Sequence, residues 1–200
     1  MKIPLQRPWL AKGMRIGLLG GSFNPAHEGH RDISLTALAR LKLDRVWWMV
    51  SPQNPLKSTD GMAGLNDRLE TARKIANHPR IHVTDIERVL GTQFTRDTLV
   101  HLCTVYPHVY FVWLMGADNM IQLPKWYGWQ QIMRTVPVAV IDRPGYGLKA
   151  QMGKAAQTFD QARINEEEAA MLPTMKPPAW VMLHAKLNPT SATGLRNLIR

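Results

Sequence analysis

His27 and His30 stand three residues apart at the end of the run Gly20-Gly21-Ser22-Phe23-Asn24-Pro25-Ala26-His27-Glu28-Gly29-His30. At that spacing two imidazoles project from one side of a helix, and the small residues before them let main-chain N–H groups approach an anion closely. Two such rings beside a phosphate would bind it and stabilise charge that builds during phosphoryl or nucleotidyl transfer. The alternative is a pair of ordinary surface or capping histidines, which the Gly-Gly-Ser-Phe-Asn-Pro prefix disfavours. A metal pair fits less well, because the spacing is three rather than four and no nearby Cys or third His completes a set; no protein metal ligand is assigned. A second constellation, Thr190-Ser191-Ala192-Thr193-Gly194-Leu195-Arg196, places hydroxyls at the start of a helix and a guanidinium one turn later. Ser191 or Thr193 either caps that helix or joins Arg196 in holding the outer phosphates of a triphosphate.

Hydrophobic periodicity supplies the elements that hold these groups. Arg15 to Leu19 reads as a buried strand stopped by Gly-Gly, and Gly29 to Leu41 as a helix packed on it. The histidine motif therefore occupies a strand-to-helix turn, where the helix dipole and free N–H groups favour negative charge. Arg45 to Val50 reads as a second strand, Leu65 to Asn77 as a helix and Arg80 to Ile86 as a third strand. Next come a helix over Thr95 to Tyr106, a strand over Val109 to Met115, a helical region over Asp118 to Arg134 broken near Pro124, and strands over Pro137 to Ile141 and Ala179 to His184. This alternation predicts an α/β fold: a single-domain, Rossmann-like, doubly wound parallel sheet with helices on both faces and ligands outside the carboxyl ends of the strands. Residues 1–13 read as an N-terminal extension to a domain over 14–200. Within it, Gly147 to Pro178 reads as an irregular insertion carrying one helix and ending in a loop from Leu172.

At 200 residues the chain suits one domain. No apolar run approaches the roughly 18 residues of a membrane span, and the residues before Arg15 lack the apolar core of a secretory signal, so a cytoplasmic location is the expectation. The single cysteine, Cys103, excludes an internal disulfide and reads as a small buried residue. A formal charge of +10 suits nucleic acid, lipid or small polyphosphate substrates alike.

GGSFNPAHEGH resembles the GxFxPxHxGH signature of nucleotidyltransferases with a Rossmann-like fold, whose HxGH histidines face the triphosphate of a nucleotide; it does not match the Gly-x-Gly-x-x-Gly dinucleotide fingerprint. Thr190 to Arg196 resembles the ISSTxxR motif of the same superfamily, with Thr190 in place of Ile and Ala192 in place of one Ser. Within the superfamily the chain is similar to the bacterial nicotinate-nucleotide adenylyltransferases from Met14 to Arg200. The likeness rests also on Ser51 to Lys57, Phe94 to Leu99, Leu114 to Asn119, Trp126-Tyr127 and Asp142 to Tyr146. It implies transfer of AMP from ATP to nicotinate mononucleotide, with Mg²⁺ carried mainly by phosphate oxygens and water. By the resemblance, His27, His30 and Arg196 would do the chemistry. Gly20, Gly21, Ser22, Phe23, Ser191 and Thr193 would hold phosphates, and Gly116 would lie on the adenosine side. Thr95 and Trp126 would hold the pyridine ring and its carboxylate, Asp118 the ribose, and Asn24 and Lys57 the rest of the mononucleotide.

Each has a plainer reading. Trp126 would fill the core, Asp118 would cap the next helix, and Lys57, where Leu56 replaces a His common in related loops, would be a solvent lysine. Trp47 and Trp48 read as sheet packing, and Glu166 to Glu168 as a solvated helix face. Two rival functions stand: pantetheine-phosphate adenylyl transfer, and a nucleic-acid- or nucleotide-binding module without chemistry. Intact His27, His30 and Arg196 argue against the second, so no stable nucleic-acid partner and no membrane association are expected.

Overall fold

In the computed structural model, which describes residues 10–52 and 62–184, six strands form one sheet. They are β1 (Arg15–Gly21), β2 (Arg45–Val50), β3 (Ile81–Thr84), β4 (Tyr110–Gly116), β5 (Val138–Ile141) and β6 (Trp180–Leu183). Runs such as Val46-Trp47-Trp48-Met49-Val50 and Phe111-Val112-Trp113-Leu114-Met115 are apolar throughout because parallel strands are buried on both faces. The strand order is β3-β2-β1-β4-β5-β6, with every pairing parallel. Chain order therefore reverses between β1 and β4, the place where doubly wound sheets take their ligands outside the carboxyl ends of the strands.

The alternating side chains of the strands feed two cores. On one face Ile16, Leu18, Met49, Trp113 and Val140 pack against α3 (Ile86–Leu90), α4 (Thr95–Val105), α5 (Ala117–Gln122), α6 (Trp129–Thr135), α7 (Gly147–Gln151) and α8 (Lys154–Thr158). On the other, Leu19, Trp48, Val112, Leu114 and Val181 pack against α1 (Glu28–Arg40) and α2 (Leu65–Ala76). No helix among the described residues is long and apolar enough to cross a membrane.

Three local readings change. The first strand does not stop at Gly-Gly: Gly20 and Gly21 continue the ladder opposite Met49 and Val50. A Cβ on Gly20 would lie 2.5 Å from the Trp113 ring, so glycine lets the indole pass beneath the strand end. The third strand ends at Thr84; Ile86 opens α3 instead, and Gly91 closes that helix in the left-handed region. Residues 147–178 hold two α-helices and two 3-10 stretches rather than one helix, and the stretch Glu166–Thr174 replaces the start of the expected loop. Ala150, Ala155, Ala156, Phe159, Ala169 and Leu172 bury their side chains in the two cores, which is why this polar-looking segment is ordered against the sheet.

Candidate active site

The β1–α1 connection begins only at Ser22, so the turn proper is Ser22-Phe23-Asn24-Pro25-Ala26. Phe23 sits there with φ +46°, a left-handed conformation uncommon for a bulky residue. What holds it is packing: its buried ring stacks on Trp48 at 5.1 Å and lies 4.6 Å from the His30 ring. Trp48 donates from Nε1 to the buried Ser34 hydroxyl at 2.7 Å, and that hydroxyl donates to the His30 carbonyl at 2.9 Å. Trp48 is thus core, as its strand pattern predicts, and also a support for the second histidine.

Helix α1 starts at Glu28, with His27 as its N-cap. The two imidazoles face each other with centroids 3.9 Å apart. His30 Nδ1 accepts the main-chain N–H of His27 at 3.2 Å, so a neutral His30 carries its proton on Nε2 and offers a donor at the opposite edge of the ring. His27 is buried, and its Nδ1 has no hydrogen-bond partner among the described residues. Burial first, and then the positive charge of Arg143, lowers its pKa from 6.5 to about 4, with Asp118 pulling the other way. That dependence brings the histidine pair, from the end of β1, into the electrostatic reach of residues beyond β4 and β5.

Those residues form an ion pair. Arg143 Nη1 donates to Asp118 Oδ2 at 3.1 Å, with about a fifth of each side chain exposed, while Asp118 Oδ1 is buried with no partner among the described residues. Asp118 lies in the first turn of α5, and its Oδ2 is engaged by Arg143. A Cβ on Gly116 would meet Asp118 Oδ1 at 2.5 Å and Arg143 Cδ at 2.9 Å, so glycine is what lets the pair close over β4.

Thr95 is the first residue of α4, half-buried, and Trp126 is half-buried against the core with its ring edge-on to Trp113 at 6.3 Å. The two segments meet: the Phe94 and Tyr127 rings are 4.7 Å apart and the Arg96 guanidinium lies 4.4 Å over Tyr127. Asn24 Oδ1 accepts the Ala63 N–H at 3.3 Å. Lys57, Ser191, Thr193 and Arg196 lie outside the described residues. Cys103 is half-buried against the core, and burial raises its thiol pKa.

Four residues were not assigned from sequence. Arg143 lies in the Asp142 to Tyr146 run that carries part of the family likeness, with no role attached to it there; Arg68 and Glu87 look like ordinary charged helix residues until their burial is seen. The fourth, His184, donates its main-chain N–H to Glu166 at 3.0 Å, and its ring Nδ1 lies 2.6 Å from the same carboxylate, which also binds Arg40. Glu166 is therefore a tether at the end of β6, not a freely solvated face.

A doubly wound sheet with an imidazole pair, an arginine and a carboxylate at its switch point defines a class, the nucleotide-binding transferases, and the family model described as cytidylyltransferase-like matches residues 18–198. A relative from Parvibaculum lavamentivorans, named "Probable nicotinate-nucleotide adenylyltransferase", is 51% identical over 191 residues, covering 96% of this chain and 95% of its own. One of the same name from Cereibacter sphaeroides is 53% identical over 183 residues, covering 92% and 97%. The chain belongs to the nicotinate-nucleotide adenylyltransferase family. Its fold is shared by the Plasmodium falciparum nicotinic acid mononucleotide adenylyltransferase complexed with NaAD, at a TM-score of 0.70 and 16% identity over 92% of this chain and 83% of that one.

Proposed function

We propose that this protein transfers the AMP moiety of ATP to nicotinate mononucleotide, releasing pyrophosphate and forming nicotinate adenine dinucleotide for NAD synthesis in the cytoplasm. The observation that carries this reading is the facing pair His27 and His30 at the β1–β4 switch point, with a buried His27 Nδ1 that has no partner among the described residues.

The acceptor's phosphate is already a nucleophile, so attack on the α-phosphorus calls for alignment and charge neutralisation rather than a general base. His30 donates from Nε2 and His27 shares the charge, joined by main-chain N–H groups of the Ser22–Phe23 turn beyond Gly20 and Gly21. Ser191, Thr193 and Arg196 would hold the departing pyrophosphate. Gly116 leaves room on the adenosine side, Asp118 accepts ribose hydroxyls, Thr95 and Trp126 hold the pyridine ring, and Asn24 and Lys57 complete the mononucleotide site. Among the described residues no three His, Cys, Asp or Glu side chains cluster as a metal cage. A Mg²⁺ ion carried on the ATP phosphates would supply charge neutralisation of the leaving group.

The test is pyrophosphate release from ATP with three acceptors: nicotinate mononucleotide, nicotinamide mononucleotide and phosphopantetheine. Release with the first is expected. A preference for phosphopantetheine, or salt-sensitive RNA binding with no release from any acceptor, overturns the proposal.

A further inference from the structure

We infer that Arg68 is a positioning residue of the transfer site, whose guanidinium fixes the orientation of the Ser22–Phe23 peptide by tying it to the exit of β2 and the start of α2. The inference rests on the adenylyl-transfer reading for the meaning of that peptide, but its geometry stands by itself. Arg68 lies in the first turn of α2 and is 2% exposed. Its Nη1 donates to the Ser22 carbonyl at 2.7 Å and to the Ser51 carbonyl at 2.8 Å; Nη2 donates to the Pro52 carbonyl at 3.0 Å, and Nε to the Ala63 carbonyl at 3.0 Å. None of the ion pairs among the described residues involves it. A buried cation is costly unless its donors are used, and here the acceptors are all main-chain oxygens on three segments.

The position of those oxygens gives the arrangement its purpose. The Ser51 N–H to Gly21 carbonyl bond at 2.9 Å is the last rung between β1 and β2. Past it the strands part, and Arg68 replaces the missing rungs by gripping the next carbonyl on each chain. A trans peptide is planar, with its C=O and N–H on opposite sides. Turning the Ser22 carbonyl toward Arg68 therefore turns the Phe23 N–H away from it. That N–H belongs to the turn that faces phosphate in the proposed reaction, and the residue that carries it is held at φ +46°. Without the guanidinium, the strained peptide is free to rotate and to present its carbonyl where a donor is needed. Only a planar fork reaches all four oxygens; a lysine ammonium is a point donor that reaches fewer.

The experiment compares wild type, Arg68→Ala and Arg68→Lys in pyrophosphate release, alongside amide hydrogen exchange of the native proteins. In both variants kcat falls by about 30- to 100-fold, as a misplacement of roughly 1 Å does, while KM for ATP changes by less than about threefold. Guanidinium ion at millimolar concentration restores kcat in Arg68→Ala at least about fivefold, and methylammonium does not. Exchange in the peptide covering 20–26 quickens while that of β4 is unchanged. A folded variant with kcat near wild type overturns the inference. So does equal rescue by methylammonium or by a stabilising osmolyte, which marks a role in stability alone. If wild type releases no pyrophosphate, the adenylyl-transfer reading falls, and unchanged exchange over 20–26 in the variants separately overturns the role of Arg68; should Arg68→Ala not fold, Arg68→Lys carries the same comparisons.

Discussion

ATP binding should protonate His27. In the free protein its pKa is about 4, so at pH 6.5 well under one molecule in a hundred carries the charge. Burial of the ring and the neighbouring Arg143 set that value, and neither is removed by substrate. A polyphosphate adds the opposite field: one net negative charge about 4 Å away, at an effective dielectric constant of about 20, favours the imidazolium by about 4 kcal/mol, or about three pH units. That carries the group to roughly pH 7 and predicts uptake of about 0.8 proton per bound nucleotide at pH 6.5. Calorimetric titration with a non-hydrolysable ATP analogue and Mg²⁺, in buffers of different ionisation enthalpy, reads the proton count directly. The nucleotide's own proton loss cancels in the difference between wild type and His27→Gln. Equal counts for the two proteins would show that His27 does not face the phosphates, and the assignment of the site would fail with it.

Two other outcomes rest on the same geometry. His30→Ala should lower kcat by on the order of 10²-fold, as loss of a transition-state donor does, with the fold retained by circular dichroism; turnover near wild type refutes its role. Glu87 is buried, and desolvation raises its pKa from 4.5 to about 7 against the opposing effect of a hydrogen bond from Ser51. A carboxyl raised in this way favours the folded state below pH 4.5 and loses that advantage as the pH rises through 7. Glu87→Gln should therefore match wild type in urea unfolding near pH 4.5 and exceed it above pH 7 by at most about 3 kcal/mol. A difference that does not vary with pH contradicts the assignment.

The strand pattern is legible because a parallel sheet buries both faces of each strand, so β2 and β4 stand out as uninterrupted apolar runs. Ending β1 before Gly-Gly is an error of the same logic: glycine signals a turn unless a side chain from elsewhere fills its space, and Trp113 does so. Residues 147–178 mislead for a related reason. Their alanines are small enough to look neutral, yet they are the side chains that fit closely against the sheet.

The histidine pair is legible in the sequence because a spacing of three on one turn brings two rings together whatever the rest of the fold does, whereas Asp118, Thr95 and Trp126 are singled out only by the family resemblance. The pairing of Arg143 with Asp118 and the burial of Arg68 and Glu87 are not legible there, since both are decided by residues elsewhere in the chain. By itself the sequence determined a doubly wound α/β fold, the strand-to-helix turn that carries the histidines and the family it resembles. Only the tertiary structure decided that burial lowers the pKa of His27, that Asp118 pairs with Arg143, and that one guanidinium spans four carbonyls. The reason is physical: hydrogen bonding and hydrophobic periodicity act along the chain, whereas desolvation and charge act through space.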